Sequence, residues 1–387
     1  MNLRKLPHSG WWLLAIVPVV LLAGVAPLAV DYYRVQKLNA IAGATNSNSY
    51  VSCEYRGPDW LRDAASSLGL GNWNSLLETR VVKVRLRDSR LGDDHLNMLP
   101  NLESLSEIVL DGTSVTDEGL RSLGKLPQLE NLSLFRRTIG PGFASLVKNS
   151  PRLNGIVCVQ CLVEPGAFSD MVGSVTFDGV ALVNMSITTD DCYFLKGCPN
   201  LTVLSLRKTQ VDDGLVPLLS SFPSLAIIDL AQTRVSDALA VELPKFPELV
   251  KVELSSTALT DRGAQGLATL GRLEQLDLSS TAITDAGTAG FELLQELRRL
   301  DLSNTAVSDD TLQRLLNHPR LEWVDFSGTK ITDDGLDAVV NWILPKRTVV
   351  IADTAIAEEA VARAKRVHPS WEFVRKRPVD AAKSDAP

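Results

Sequence analysis

Apolar and polar positions along this chain follow a pattern that returns every 24 residues. The block Leu273-Glu-Gln-Leu-Asp-Leu-Ser-Ser-Thr-Ala-Ile-Thr-Asp285 recurs as Leu297-Arg-Arg-Leu-Asp-Leu-Ser-Asn-Thr-Ala-Val-Ser-Asp309 and as Leu321-Glu-Trp-Val-Asp-Phe-Ser-Gly-Thr-Lys-Ile-Thr-Asp333. With the second apolar residue of each block as origin, the series reads Val84, Ile108, Leu132, Ile156, Val180, Leu204, Ile228, Val252, Leu276, Leu300, Val324 and Val349. Ten successive spacings are 24 and the last is 25. Two residues after the origin stands Leu in most blocks, with Cys158, Phe326 and Ile351 as the exceptions. An apolar-x-apolar step has period two, so each block predicts a short strand with both marked side chains inward. Later apolar positions, from Leu99 to Val339 and from Leu105 to Leu321, are spaced about three apart and predict a helix laid against those strands.

This pattern, L-x-x-L-x-L-x-x-T-x-[IV]-[TS]-D, resembles the leucine-rich repeat family over residues 81–356. The resemblance implies an α/β solenoid, or horseshoe, of 12 repeats, one per origin. Its parallel sheet is expected on the concave face and its helices on the convex face. The departure lies five residues after the origin, where the family usually has Asn or Cys. Here that place holds Thr113, Thr209, Thr233, Thr257, Thr281, Thr305, Thr329 and Thr354, with Ser89, Arg137, Cys161 and Met185 in the other blocks. A Thr hydroxyl can satisfy part of the turn's backbone. Thr at this ladder position, with the ending Thr332-Asp333-Asp334-Gly335-Leu336, is similar to the membrane-anchored leucine-rich repeat proteins of bacteria.

The N-terminus carries its own signal. No Asp, Glu, Lys or Arg occurs from Leu6 to Val30, and 11–30 is almost wholly apolar. Twenty residues at about 1.5 Å each span about 30 Å, the thickness of a bilayer core. Trp11, Trp12, Tyr32 and Tyr33 bracket the run as an aromatic belt. A cleaved signal peptide has an apolar core of about 7–15 residues and a small-x-small exit. This run is longer and Pro27 occupies the exit, so an uncleaved transmembrane anchor is expected. Arg4 and Lys5 precede it without acids, whereas Arg34 and Lys37 follow in company with Asp31. That asymmetry places 1–10 in the cytoplasm and the repeats on the outer, extracytoplasmic side. Residues 31–80 are expected to form a juxtamembrane helix and N-terminal cap, 357–375 a C-terminal cap, and 376–387 a disordered tail.

Composition narrows the chemistry. With 39 Lys and Arg against 46 Asp and Glu, the net charge of −7 offers no basic excess, so no nucleic-acid partner is expected. The Asp pairs Asp93-Asp94, Asp212-Asp213, Asp309-Asp310 and Asp333-Asp334 stand near the start of each convex segment, after Gly92, Val211, Ser308 and Thr332. They read as helix caps and first-turn acids rather than catalytic carboxylates. Cys158-Val-Gln-Cys161 lacks the second half of a zinc or redox motif, and Cys158 and Cys198 fall on inward positions. His8, His95, His318 and His368 form no nucleophile grouping, His318 replaces an inward apolar residue, and no phosphate-cradling glycine pattern occurs. No catalytic residue, metal or cofactor is expected.

The concave face remains. In the C-terminal half, the residues after the origin read Asp229, Glu253, Asp277, Asp301 and Asp325, which we expect to be a solvated polar row. The blocks at Leu132, Ile156 and Val180 lose the Thr-Asp signature and place Phe135, Val157, Val159, Ala181 and Val183 outward. Arg136, Arg137, Arg207 and Lys208 flank them. Apolar outward residues rimmed by cations suit a binding patch for a protein or peptide. The expected function is therefore non-catalytic recognition by a membrane-anchored protein. The alternatives are a self-associating envelope protein and a substrate-reading adapter of a ubiquitin-ligase-like complex.

Overall fold

The computed structural model describes residues 49–54, 80–99, 102–316, 318–339 and 346–376, together with 36, 37 and 40. The apolar run 11–30, most of 31–80 and the tail beyond 376 lie outside the described residues. Among the described residues, no helix is long and apolar enough to cross a membrane. The chain divides into two compact units, Met1–Gly155 with Glu164–Asp170, and Ile156–Val163 with Met171–Pro387.

The first unit contains β1 (Tyr50–Glu54), β2 (Arg80–Leu86), β3 (Glu107–Asp111) and β4 (Asn131–Phe135). β2, β3 and β4 run parallel in the sequence register, Val84 beside Ile108 and Ile108 beside Leu132. β1 lies antiparallel on the free edge of β2, with Val51 opposite Val84. Tyr50–Glu54 thereby covers an edge of β2 that would otherwise expose a row of unpaired backbone groups.

The second unit continues the pattern with β5 (Gly155–Val159, from Ile156 onward), β6 (Gly179–Val183), β7 (Val203–Ser205), β8 (Ile227–Asp229) and β9 (Lys251–Glu253). β10 (Gln275–Asp277), β11 (Arg299–Asp301), β12 (Trp323–Asp325), β13 (Thr348–Val350) and β14 (Glu372–Val374) complete it. β14 was not expected. It pairs parallel with β13, Val349 beside Phe373, so the segment 357–375 adds a helix, Glu358–Val367, and a last strand to the array. The intervening segments are short α-helices, such as Asp261–Leu267 and Asp309–Leu316, or 3-10 turns, such as Phe291–Leu293, and some repeats carry both.

The inward register is as the pattern dictates. Leu254, Leu278, Leu302 and Phe326 are fully buried, and so are Cys158, Cys198 and His318 at the inward places assigned to them. Cys158, Cys161, Cys192 and Cys198 are buried and not joined in disulfides. Burial pushes the Cys192 thiol up to about 12, which keeps it an unreactive hydrophobe. The Thr ladder closes each turn locally. The hydroxyls of Thr209, Thr233, Thr281, Thr305 and Thr329 each donate to the carbonyl three residues back, at 2.5–2.6 Å.

The recurrent Asp departs from expectation. It does more than serve its own helix, because its carboxylate reaches forward into the next repeat. Asp237 accepts the Thr260 N–H at 2.8 Å and its hydroxyl at 2.5 Å. Asp261 takes Thr284, Asp309 takes Thr332 and Asp213 takes Ser236 in the same way. Asp285 accepts four such bonds, two from Ser308 and two from Thr311. In the first unit Asp93 holds Thr116, and Asp117 holds the N–H groups of Gly140, Gly142 and Phe143. This spine also explains the glycine two residues after the Asp. A Cβ on Gly263 or Gly335 would overlap the carboxylate of Asp237 or Asp309.

Candidate functional site

The open face of each sheet is built by the residues on either side of the inward origin. Four residues past the origin, each regular turn places one residue in the left-handed region. Arg136, Gln160, Asn184, Lys208, Gln232, Ser256, Ser280 and Asn304 all have φ between 54° and 58°. Two of the cations expected to rim the patch, Arg136 and Lys208, therefore stand where the turn needs an unusual backbone, and their side chains leave the sheet from there.

The expected patch is divided between the two units. In the first, Phe135 is half-buried at the end of β4. Arg136 is exposed and pairs with Asp111 at 2.5 Å, and Arg87 approaches the same carboxylate at 3.5 Å. Arg137 must be withdrawn from the patch. It is buried at the ladder position and donates to the carbonyls of Val115 and Thr113 and to the Thr113 hydroxyl, at 2.6–2.8 Å. A long guanidinium thereby replaces the Thr of this repeat and satisfies the turn of the preceding one.

In the second unit, Val157 and Val159 on β5 and Val183 on β6 are half-buried, while Ala181 is buried. Val203 and Ile227, one residue before their origins, are half-buried on the same face and extend the apolar surface. That column was legible in the sequence as a row of outward residues, but only the two columns after the origin had been read. Lys208 is exposed. Arg207 is not a free rim charge, since it lies 3.5 Å from Asp229 and 3.4 Å from Glu253.

The acidic row is the larger correction. It is not solvated. Glu253 and Asp325 are buried, and Asp229, Asp277 and Asp301 are half-buried. The reason is local. The carboxylates of Asp229, Asp277, Asp301 and Asp325 each fold back and accept the backbone N–H two residues on, at 2.7–3.0 Å. The strands register them side by side, Asp277 next to Asp301 and Asp301 next to Asp325. Burial, with Asp277 and Asp325 on either side, pushes Asp301 up to about 7. Burial also raises Asp229 and Glu253, against the pull of Arg207 and Lys251. Lys251 meets Glu253 at 2.8 Å, as its place in the sequence suggests. Arg299 instead stacks on the Trp323 ring, 4.4 Å from its centroid.

Among the described residues, no group of three or more His, Cys, Asp or Glu side chains is placed to hold a metal ion. No protein-family model and no curated protein matches the sequence. Solved structures do resemble the fold. An internalin from Listeria monocytogenes superposes with a TM-score of 0.56 at 14% identity, covering 78% of this chain and 91% of that one. A leucine-rich repeat protein of Leptospira interrogans gives 0.47 at 14% identity, over 76% of this chain and 83% of that one. A plant peptide hormone receptor in complex with RGF2 gives 0.46 at 14% identity, over 78% of this chain and 52% of that one. With the register of strands described above, the likeness to the internalin fixes the architecture as a leucine-rich repeat fold.

Proposed function

We propose that this chain is a non-catalytic recognition protein of the bacterial membrane-anchored leucine-rich repeat type. It is held in the bilayer by 11–30, with its repeats on the extracytoplasmic side, and takes a protein or peptide partner on the open sheet face of its second unit. The observation that carries this reading is the partly exposed apolar surface of Val157, Val159, Val183, Val203 and Ile227, where the more C-terminal strands carry acids and serines. Exposed aliphatic side chains on a rigid sheet gain most from a partner that removes them from water, at about 25 cal/mol per Å². The solenoid architecture lends the recognition reading support by analogy, since stacked repeats offer an extended surface for binding.

Affinity capture from a detergent extract tests it. Val159→Ser with Val183→Ser should abolish partner capture while far-ultraviolet dichroism and the unfolding midpoint stay unchanged, because these side chains are not in the core. Capture that survives in the folded variant refutes the assignment. Protease added to intact spheroplasts should digest the repeats, and full protection would reverse the orientation.

A further inference from the structure

A second feature lies away from the open face, where the chain enters its last strands. Two residues before the origin, four successive repeats of the second unit carry Glu274, Arg298, Glu322 and Arg347, an alternating series. The first three members pair along the row. Arg298 meets Glu322 at 2.6 Å and Glu274 at 4.0 Å, and Arg320 is satisfied by Glu296. Arg347 breaks the series by turning inward. It is 1% exposed, its Nη2 donates to the His318 carbonyl at 3.2 Å, and its guanidinium lies 5.2 Å from the centroid of the Trp371 ring. Its Nε and Nη1 are buried with no acceptor among the described residues. No carboxylate among the described residues lies within ion-pair distance of Arg347 or of its exposed neighbour Lys346.

A buried cation without a counterion is costly. Burial alone brings Arg347 down to about 10. The same residue lines an open cleft of about 770 Å³, together with Arg298, Arg320, Glu322, Lys346 and Thr348. In that cleft Arg298 and Arg320 are already neutralised by acids, whereas Lys346 and Arg347 are not. The uncompensated charge is that of two cations, which one dianion would match.

We propose that this cleft is a binding site for a phosphate-bearing ligand, with Arg347 as the buried anchor and Lys346 as the rim contact. A phosphate group carries between about −1.5 and −2 at neutral pH and offers three acceptor oxygens. Guanidinium is the side chain best shaped to meet such a group. Nη2 is engaged by the His318 carbonyl, and Nε and Nη1 are covered beside the Trp371 ring, so binding requires Arg347 to shift outward and present a donor to the phosphate in the cleft. The phosphate can be that of a soluble monoester or of a lipid headgroup, and the site chemistry is the same for both. The proposal is independent of the partner surface on the sheet.

The test uses the full chain in detergent micelles. Inorganic phosphate should raise the unfolding midpoint more than sodium chloride of equal ionic strength, and titration calorimetry should give a saturable isotherm. Arg347→Met should weaken phosphate binding about tenfold or more, since charge-assisted hydrogen bonds contribute about 1.5–3 kcal/mol. In phosphate-free buffer this variant should be at least as stable as the parent, because an unpaired buried charge has been removed. Lys346→Ala should weaken binding by a smaller factor and leave folding unchanged. Short-chain phosphatidic acid against glycerol phosphate separates the two sources: tighter binding of the lipid assigns a headgroup, and equal binding assigns a soluble monoester. No effect of phosphate beyond that of chloride would overturn the proposal, as would equal binding by the Arg347→Met protein. If Arg347→Met fails to fold, Lys346→Ala still decides through its phosphate titration.

Discussion

Two stretches of the second unit share one backbone period and differ in how the repeats are tied together. From Leu204 onward, nearly every repeat carries the forward-reaching Asp, and most strands end at an acid one residue past the origin, as in Gln275–Asp277 and Arg299–Asp301. In the repeats at Ile156 and Val180 the spine position holds Pro165 and Thr189, and the strands run five residues, Gly155–Val159 and Gly179–Val183. The two differences are separate. The spine Asp bonds one repeat to the next on the helical side. On the sheet, Asp229, Asp277, Asp301 and Asp325 take the N–H two residues on, whereas Val157 and Ala181 carry no side-chain acceptor. The acid alone does not set strand length, since Val203–Ser205 and Thr348–Val350 are equally short without one. Thr189 keeps part of the spine by reversing it: its hydroxyl donates to Asp212 at 2.8 Å and accepts the Asp212 N–H. The comparison teaches that loss of the spine and gain of an apolar open face coincide in the same repeats without one requiring the other.

The largest effect that would break this picture lies in the core both stretches share. Leu278→Ala should cost about 2–5 kcal/mol in chemical denaturation, the range for a buried Leu. A loss below 1 kcal/mol would mean the inward register is wrong. Next comes the spine. Ser308 and Thr311 hold the Asp285 pKa below the usual carboxylate range although burial opposes it. Asp285→Ala should therefore cost about 2–3 kcal/mol, because four donors lose a charged acceptor, whereas the exposed Asp190→Ala should stay within about 0.5 kcal/mol. Equal losses would leave only helix capping.

The acidic row predicts a pH dependence of smaller size. Asp301 is raised to about 7 in the folded chain from 3.8. Between those values the unfolded state is ionised and the folded state protonated, so stability falls as pH rises from about 4 to 7 and then levels off. Asp277 and Asp325 flank it, and Arg299 is turned onto Trp323. Asp301→Asn should reduce this slope, leaving the part that the raised Asp229 and Glu253 contribute, and make the protein more stable than the parent at pH 8; an unchanged slope would place the titration elsewhere. The smallest effect concerns the left-handed residue. Ser280→Gly should stabilise by about 0.5 kcal/mol, because an L side chain is strained at positive φ. Asn184→Gly should gain less, since Asn tolerates this region. Thermal melts resolve the pair, and a loss at Ser280 would contradict the turn geometry.

Much of this architecture was legible in the sequence. The 24-residue register located the strands, the inward Leu column, and the burial of Cys158, Cys198 and His318. The Asp spine was not read, although its signal was present: Asp, a preceding Thr or Ser and a following Gly recur at fixed places, as in Thr332-Asp333 and Gly335. Helix capping accounts for the same residues locally, and only the position of the next repeat's Thr distinguishes the two roles. The burial of the acids depended on a side chain turning back to its own backbone, which alternation alone does not reveal. Arg137 was misplaced because an Arg in a polar ladder looks like a surface cation. The strand that carries Phe373 escaped notice because Ala357–Val367 lacks the leucines that mark the repeats.

The spine also makes the repeat a plug with a matching socket. Each Asp is a plug carried by one repeat, and the Thr or Ser one position short of a full period later is its socket. Excision of 285–308 would join Thr284 directly to Asp309. Asp261 would keep Thr284 and Asp309 would keep Thr332, so only the Asp285 link is lost with the repeat that owned it. The same cut through the repeats at Ile156 and Val180 would find no Asp plug: Pro165 stands at that place in one, and in the other Thr189 makes the reversed link to Asp212. An array of this kind can change its length in whole repeats within its regular part, while the irregular part stays as a fixed segment.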